Sequence, residues 1–194
     1  MDLNQVVFMS VIRLFQHRRY ATELSILRLI VCDIDGVLTD GGLWYDETGG
    51  VIKRFDVRDG LGIKLLQQEG IEVAFLSGGR AGAIEVRAKH LAIQHCLIGV
   101  RDKVQGLSDL MGQLNLSKSQ VAFIGDDLND LAVRPLVGLL VATSDAEASM
   151  KRHANIVTKS RGGHGAVREF AEMVLKLRGR WKDLSTNGWR DRND

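Results

Sequence analysis

Asp33 and Asp35 stand two residues apart directly after an apolar run, and Gly125-Asp126-Asp127 follows another such run. In an extended segment, side chains two apart point the same way. Two carboxylates held side by side repel, and one of them is pushed to a higher pKa. If both runs end at one edge, Asp126 and Asp127 bring the count to three or four. A hard divalent cation resolves such crowding, and Mg²⁺ takes oxygen ligands in octahedral geometry while keeping several waters. Either carboxylate alone reads as a helix cap; the joint pattern at two strand ends reads as a cation site. Ser77-Gly78-Gly79-Arg80 closes a third apolar run. Its hydroxyl and the N–H groups after it are of the kind that hold phosphate oxygens, although Ser-Gly-Gly alone is also an ordinary loop. Lys103 opens a helix-period segment, where the helix dipole disfavours a cation. An anion beside it accounts for its place; without the other groups it reads as a solvated surface lysine. Taken together, these residues suit a phosphate and a divalent cation.

The elements that must position them follow from periodicity. Residues 26–32 read as a buried strand, continuous and β-branched. Residues 43–55 read as a hairpin turning at 46–50. Asp59 looks like the N-cap of a helix running to Glu69 and closed by Gly70. Strands are expected at 72–76, 94–98, 121–124, 139–141 and 155–157, and helices at 80–91, 103–115, near 146–153 and at 165–178. Strands alternating with helices of about a dozen residues imply an α/β fold, a Rossmann-like three-layer sandwich with a parallel sheet. In such a sheet, ligands bind beyond the carboxyl ends of the strands. Asp33, Ser77, Lys103 and Asp126 all fall there.

Composition bounds the rest. A chain of 194 residues is one domain, here 26–178, with a helical extension at 1–25 and a polar tail at 179–194. The tail lacks periodicity and is expected to be mobile, unless Trp181 or Trp189 docks. Lys+Arg 26 against Asp+Glu 24 is too balanced for a dedicated nucleic-acid binder. Two cysteines, Cys32 and Cys96, exclude a disulfide framework and suit a reducing cytoplasm. Residues 6–15 are apolar but broken by Ser10 and Arg13, far short of the about 20 a membrane span needs. They read as a helix packed on the domain or on a neighbour, with a peripheral membrane helix as the lesser reading.

Two reaction classes fit a phosphate, a carboxylate and Mg²⁺: phosphoryl transfer through an aspartyl phosphate, and a signalling receiver domain. A receiver carries its acceptor Asp after the third strand and its Lys on the last. Here Lys103 precedes a further strand ending in Gly-Asp-Asp, so the order is wrong for a receiver. The order resembles instead the haloacid dehalogenase phosphatase superfamily: Asp33-Ile-Asp-Gly-Val-Leu-Thr, Ser77, Lys103 and Gly125-Asp126-Asp127 match its four motifs in sequence. Phe55-Asp-Val-Arg-Asp-Gly-Leu-Gly62 and Gly162-Gly-His-Gly-Ala-Val-Arg-Glu169 are similar to its sugar-acid phosphatase subgroup.

That resemblance implies a Mg²⁺-dependent phosphatase acting on a phosphorylated sugar acid, 3-deoxy-D-manno-octulosonate 8-phosphate, with a nonulosonate 9-phosphate or another small sugar phosphate as the alternative. It implies Asp33 as nucleophile, Asp35 as acid and base, and Ser77 and Lys103 on the phosphoryl group. Asp33, the backbone carbonyl of Asp35 and Asp126 would ligate the metal. The substrate side would comprise Asp35, Asp56, Val57, Arg58, Asp59, Gly60, Lys64, Gly79, Arg87, Lys103 and Asn129. Arg58 and Arg87 would suit a carboxylate, because guanidinium binds it bidentately; otherwise each is a surface ion pair. Three positions depart from the family pattern: Gly79 stands where Arg is usual, Lys64 where Arg is usual, and His164 breaks a Gly-Gly-Arg-Gly signature. No cap-sized insertion separates the motifs, which implies a capless fold with a small β-hairpin flap. It also implies a homotetramer in which a neighbour helps cover the site. Trp44 and Tyr45 would then anchor the interface; ordinary hairpin packing is the plainer reading of both.

Overall fold

The computed structural model describes residues 19–189. The helix expected over residues 6–15 lies outside them. In chain order the elements are α1 (Ala21–Ile26), β1 (Leu29–Cys32), β2 (Trp44–Tyr45), β3 (Val51–Ile52), α2 (Val57–Gln68), β4 (Glu72–Ser77), α3 (Ala83–His90), β5 (His95–Ile98), α4 (Lys103–Gln113), β6 (Val121–Gly125), α5 (Leu128–Leu131), β7 (Leu139–Ala142), α6 (Ala148–His153), β8 (Ile156–Val157), α7 (Ala166–Leu177) and α8 (Trp181–Asn187). Six strands form one sheet in the order β5-β4-β1-β6-β7-β8, and every pairing in it is parallel. β2 and β3 form a separate antiparallel hairpin.

Period-two alternation splits the core into two layers. Ile30, Cys32, Val73, Phe75 and Ile124 face a cluster built with α1, α2, α3 and α7. Leu29, Val31, Ala74, Leu76 and Phe123 face a second cluster built with α4 and α6. Both faces of the sheet are covered, as a parallel sheet requires, and this explains why its strands read as continuous apolar runs. Register does the positioning. Cys32 pairs with Phe75 on one side and Ile124 on the other. Asp33, Ser77 and Asp126 therefore emerge nearly level at one edge.

Four expectations need correction. The apolar run at 26–32 is not one strand. Ile26 ends α1, and the ladder begins at Arg28, whose N–H donates to the Gln120 carbonyl at 2.8 Å. Apolar residues flank Arg28 on both sides, so the run reads as continuous although the helix ends before it. Asp59 is not the N-cap of α2. Asp56 is, accepting from the Arg58 N–H at 2.7 Å. The hairpin expected over 43–55 is ordered as strand at only two residues per arm, although its turn, tied by the Asp46 carboxylate, falls where expected. The C-terminal segment is not featureless: Trp181–Asn187 is helical, and Arg168 and Lys176 lie 5.4 and 5.1 Å from the Trp181 ring. Further on, Trp189 donates to the Gln68 side chain of α2 at 2.7 Å. Cys32 is buried and Cys96 half-buried, both as free thiols. Among the described residues no helix is long and apolar enough to cross a membrane.

Candidate active site

Beyond the carboxyl ends of β1, β4 and β6 lies a cavity of about 480 Å³, lined by Asp33, Asp35, Ser77, Gly78, Gly79, Lys103, Asp126, Asp127, Leu128 and Asn129. A larger cleft of about 580 Å³, beside the starts of β6, β7 and β8, is lined by Lys118, Arg134, His153 and apolar neighbours and holds no acid cluster.

β1 delivers Asp33, whose carboxylate is buried and lies 2.9 Å from the Lys103 ammonium. Lys103 is the first residue of α4. Asp102 caps that helix by accepting from the N–H groups of Val104 and Gln105, which offsets the dipole against the lysine. Burial works to lower the Lys103 pKa, but Asp33 and Asp130 outweigh it and hold the ammonium charged. Asp130, on α5, is fully buried and binds the same ammonium at 2.6 Å. Its other oxygen accepts from the Asp126 N–H at 2.9 Å, so it fixes both the lysine and the turn that presents Asp126. Gly36 lies under that turn with φ +86°, and a Cβ there would come within 2.0 Å of an Asp126 carboxylate oxygen. Ser77 is buried, and its hydroxyl oxygen accepts from the Gly79 N–H at 3.0 Å. The hydroxyl proton is left to point elsewhere.

The charge balance of this group is unusual. Asp33, Asp126 and Asp130 each bring a carboxylate oxygen within 4.8 Å of the others, and among the described residues Lys103 is the one ammonium bonded to the cluster. Burial, then Asp130, pushes Asp33 up to about 6, with Lys103 opposing. Burial, then Asp130 and Asp33, pushes Asp126 up to about 7. Excess buried negative charge of this kind is what a divalent cation neutralises. Asp130 does not line the cavity and is committed to Lys103 and backbone N–H groups. Of the three, Asp33 and Asp126 face the cavity and fit a hard cation.

Of the residues expected at the site, the structure brings together Asp33, Asp35, Ser77, Gly79, Lys103, Asp126 and Asn129. It does not bring Asp56, Val57, Arg58, Asp59, Gly60, Lys64 or Arg87 into that cavity. Asp56 is a helix cap bound to Arg58, which lowers its pKa. Asp59 reaches across to the start of α7 and accepts from the Gly165 and Arg168 N–H groups at 3.2 and 2.9 Å; burial nonetheless pushes it up to about 6. Arg87 donates to the Asp56 carbonyl at 3.0 Å and stacks 5.7 Å from Phe55. Val57, Gly60, Lys64 and Arg87 line a second cavity of about 330 Å³ with Trp189. At Gly79 a Cβ would stand 3.1 Å from the Ser77 hydroxyl and 3.3 Å from an Asp35 oxygen, so the missing side chain leaves the cavity open there.

Sequence reasoning missed two residues. Asp130 stands four positions after Asp126, a spacing one helical turn makes meaningful, but its partner Lys103 is 27 residues away. Lys53, on the hairpin's outgoing arm, donates to both oxygens of Asp35, at 2.6 and 2.7 Å. No local signal marks it.

Comparison with known proteins agrees with this geometry. A family model described as haloacid dehalogenase-like hydrolase matches residues 99–170. The 3-deoxy-D-manno-octulosonate 8-phosphate phosphatase of Yersinia pestis is 43% identical over 149 residues, covering 77% of this chain and 80% of that protein. A crystal structure of the Yersinia pestis phosphatase superposes with a TM-score of 0.81 at 40% identity, covering 84% of this chain and 88% of that one. The Moraxella catarrhalis phosphatase, solved with a magnesium ion, a phosphate ion and a KDO molecule, gives a TM-score of 0.83 at 33% identity, over 87% of this chain and 98% of that one.

Proposed function

The chain belongs to the 3-deoxy-D-manno-octulosonate 8-phosphate phosphatase family of the haloacid dehalogenase-like hydrolases, and we propose that it hydrolyses that sugar-acid phosphate to the free sugar acid and inorganic phosphate. It is a phosphoric monoester hydrolase. The observation that carries the reading is one buried ammonium among three clustered carboxylates, beside a serine hydroxyl, at the carboxyl edge of a parallel sheet.

The roles implied by the family resemblance are supported by the way these residues lie together. A carboxylate oxygen of Asp33 attacks phosphorus. As the Asp33–phosphorus bond forms, the bond to the sugar oxygen breaks, and Asp35 gives that oxygen a proton. Asp35 then takes a proton from a water that attacks the aspartyl phosphate, releasing phosphate and restoring the Asp33 carboxylate. Lys103 spends two N–H groups on Asp33 and Asp130 and has a third for a phosphoryl oxygen. The Ser77 hydroxyl, already accepting from Gly79, is free to donate to another. Asp33, Asp126 and the Asp35 carbonyl would hold Mg²⁺, which when bound supplies the positive charge that offsets the phosphoryl oxygens. Hydrolysis of phosphate monoesters needs accelerations up to about 10²¹, and preorganised charge of this kind is the usual largest share.

Among the described residues, the cavity of one chain carries no arginine for the sugar carboxylate. Arg58, Lys64 and Arg87 remain the candidates, and they meet a substrate most simply if a neighbouring copy contributes. We extend the proposal to a homotetramer: Trp44, Tyr45 and Ile52 are 68%, 67% and 60% exposed on the hairpin, an apolar surface that suits burial against another copy. The two free thiols favour a cytoplasmic setting.

A screen of phosphorylated octulosonates, nonulosonates and hexoses, with and without Mg²⁺, tests the reading. Highest kcat/KM is expected for 3-deoxy-D-manno-octulosonate 8-phosphate. Preference for a nonulosonate 9-phosphate would assign the substitutions at Lys64, Gly79 and His164 to a longer sugar acid, and equal turnover of hexose phosphates would overturn sugar-acid recognition.

A further inference from the structure

The hairpin's outgoing arm runs from β3 into Lys53 and Arg54. The Lys53 side chain is only 6% exposed, and its ammonium bridges both oxygens of Asp35 at 2.6 and 2.7 Å. Asp35 itself lines the cavity and keeps 36% of its side chain exposed. Arg54 donates to the Gly163 carbonyl at 3.0 Å, and the Gly163 N–H donates to the Val37 carbonyl at 2.9 Å. Two adjacent residues thus tie the hairpin to the Asp33–Asp35 loop, one through its carboxylate and one through its neighbour in space. A buried lysine persists only where its charge is met, and here Asp35 meets it.

We infer that Lys53 is the positioning residue for Asp35, and through it the coupling between hairpin placement and proton transfer. The inference rests on the acid role given to Asp35 above. An ammonium that touches both oxygens fixes the plane of the carboxyl group. When Asp35 carries a proton, the lysine keeps the unprotonated oxygen, and the protonated one is left to face the leaving oxygen of the sugar. Without Lys53 the carboxyl group keeps only the long 3.4 Å bond that the Thr39 hydroxyl donates to it, and the proton is presented in the right direction for only part of the time. Lys53 spends its hydrogen bonds on Asp35, while Asp33 is held by Lys103, so the pair that meets the phosphoryl group does not rest on it.

The consequence is a dependence on the leaving group. A sugar alkoxide needs the proton as the bond to phosphorus breaks; a nitrophenolate does not. The experiment measures, in single turnovers, the rate of protein phosphorylation from the sugar-acid phosphate and from 4-nitrophenyl phosphate, for wild type, Lys53→Met, Lys53→Arg, Asp35→Asn and the Lys53→Met/Asp35→Asn pair, each checked for folding by circular dichroism. Lys53→Met is expected to slow the sugar-phosphate step by about 100-fold, the lower end of general-acid catalysis, and the nitrophenyl step by less than about threefold. Lys53→Arg, which keeps the charge and should fold where Met does not, is expected to recover part of the sugar-phosphate rate. The pair should be no slower than Asp35→Asn alone. If Asp35→Asn shows the leaving-group contrast and the Lys53 variants do not, or if the two losses add, the inference is overturned while the role of Asp35 stands. If Asp35→Asn shows no contrast, both are overturned.

Discussion

At the scale of the residue, the cluster of Asp33, Asp126 and Asp130 around Lys103 determines how the protein responds to protons and to metal. Asp33 and Asp126 lie near 6 and 7, against an ordinary value of 3.8. The folded metal-free protein therefore holds more protons than the unfolded chain between about pH 4 and 7, and its stability falls as pH rises through that window. Mg²⁺ competes with those protons, so its affinity should rise with pH over the same range. Melting temperatures are expected to decline from pH 5 to 7.5 without metal and to recover at saturating Mg²⁺, with the decline flattened in Asp126→Asn. A metal-free profile that rises with pH would contradict the crowding described here. Asp33, Asp35 and Asp126 were legible because each directly follows an apolar run, and a strand end is a position that sequence defines. Asp130 was not, because its meaning comes from an ammonium on another element. Lys53 was less legible still, since nothing in Val51-Ile52-Lys53-Arg54 says where a hairpin will lie.

At the scale of the element, the segment before α7 is what closes the back of the site. A Cβ on Gly162 would come within 1.8 Å of the Gly36 carbonyl oxygen, and one on Gly163, whose φ is +63°, within 2.4 Å of the Asp40 N–H nitrogen. These glycines let backbone pack on the loop that carries Asp33 and Asp35. Gly162→Ala must push that loop, and is expected to cost about 1–3 kcal/mol of stability and to lower kcat more than KM. An unchanged kcat would separate the glycine pair from the site. Asp59 belongs to the same junction. It sits in the first turn of α2 yet accepts from the first N–H groups of α7. Asp59→Ala leaves those buried groups unmet, and should destabilise the protein by about 2 kcal/mol in a denaturant titration. An aspartate ahead of a helical period reads as that helix's own cap, and local pattern holds no trace of a helix more than a hundred residues later. The helices expected at 59–69, 103–115, 146–153 and 165–178 fall within a few residues of those observed, whereas the short α5 and the tail helix α8 left no apolar period to read. At α3 the loop through Gly82 delays the start from 80 to Ala83.

At the scale of the whole molecule, the parallel sheet was legible because strand and helix periods alternate, and its level strand ends are what turn separate motifs into a site. The arrangement of copies is a different matter, since it depends on what the hairpin meets. If Trp44, Tyr45 and Ile52 are buried against neighbours, Trp44→Asp should weaken association by roughly 2 kcal/mol per contact, about 30-fold. Light scattering would show a smaller species, and kcat/KM for the sugar-acid phosphate should fall with it; a fully active wild-type monomer would contradict the tetramer. The chemistry proposed for this site runs through a phosphoryl group carried on Asp33. Its most direct test is rapid acid quenching during turnover of 3-deoxy-D-manno-octulosonate 8-phosphate with Mg²⁺, followed by peptide mass mapping. One phosphoryl group is expected on the peptide containing Asp33, and Asp33→Asn is expected to fold, give no labelled peptide and not turn over. Brisk turnover with that peptide unlabelled, or Asp33→Asn retaining near wild-type activity, would contradict it.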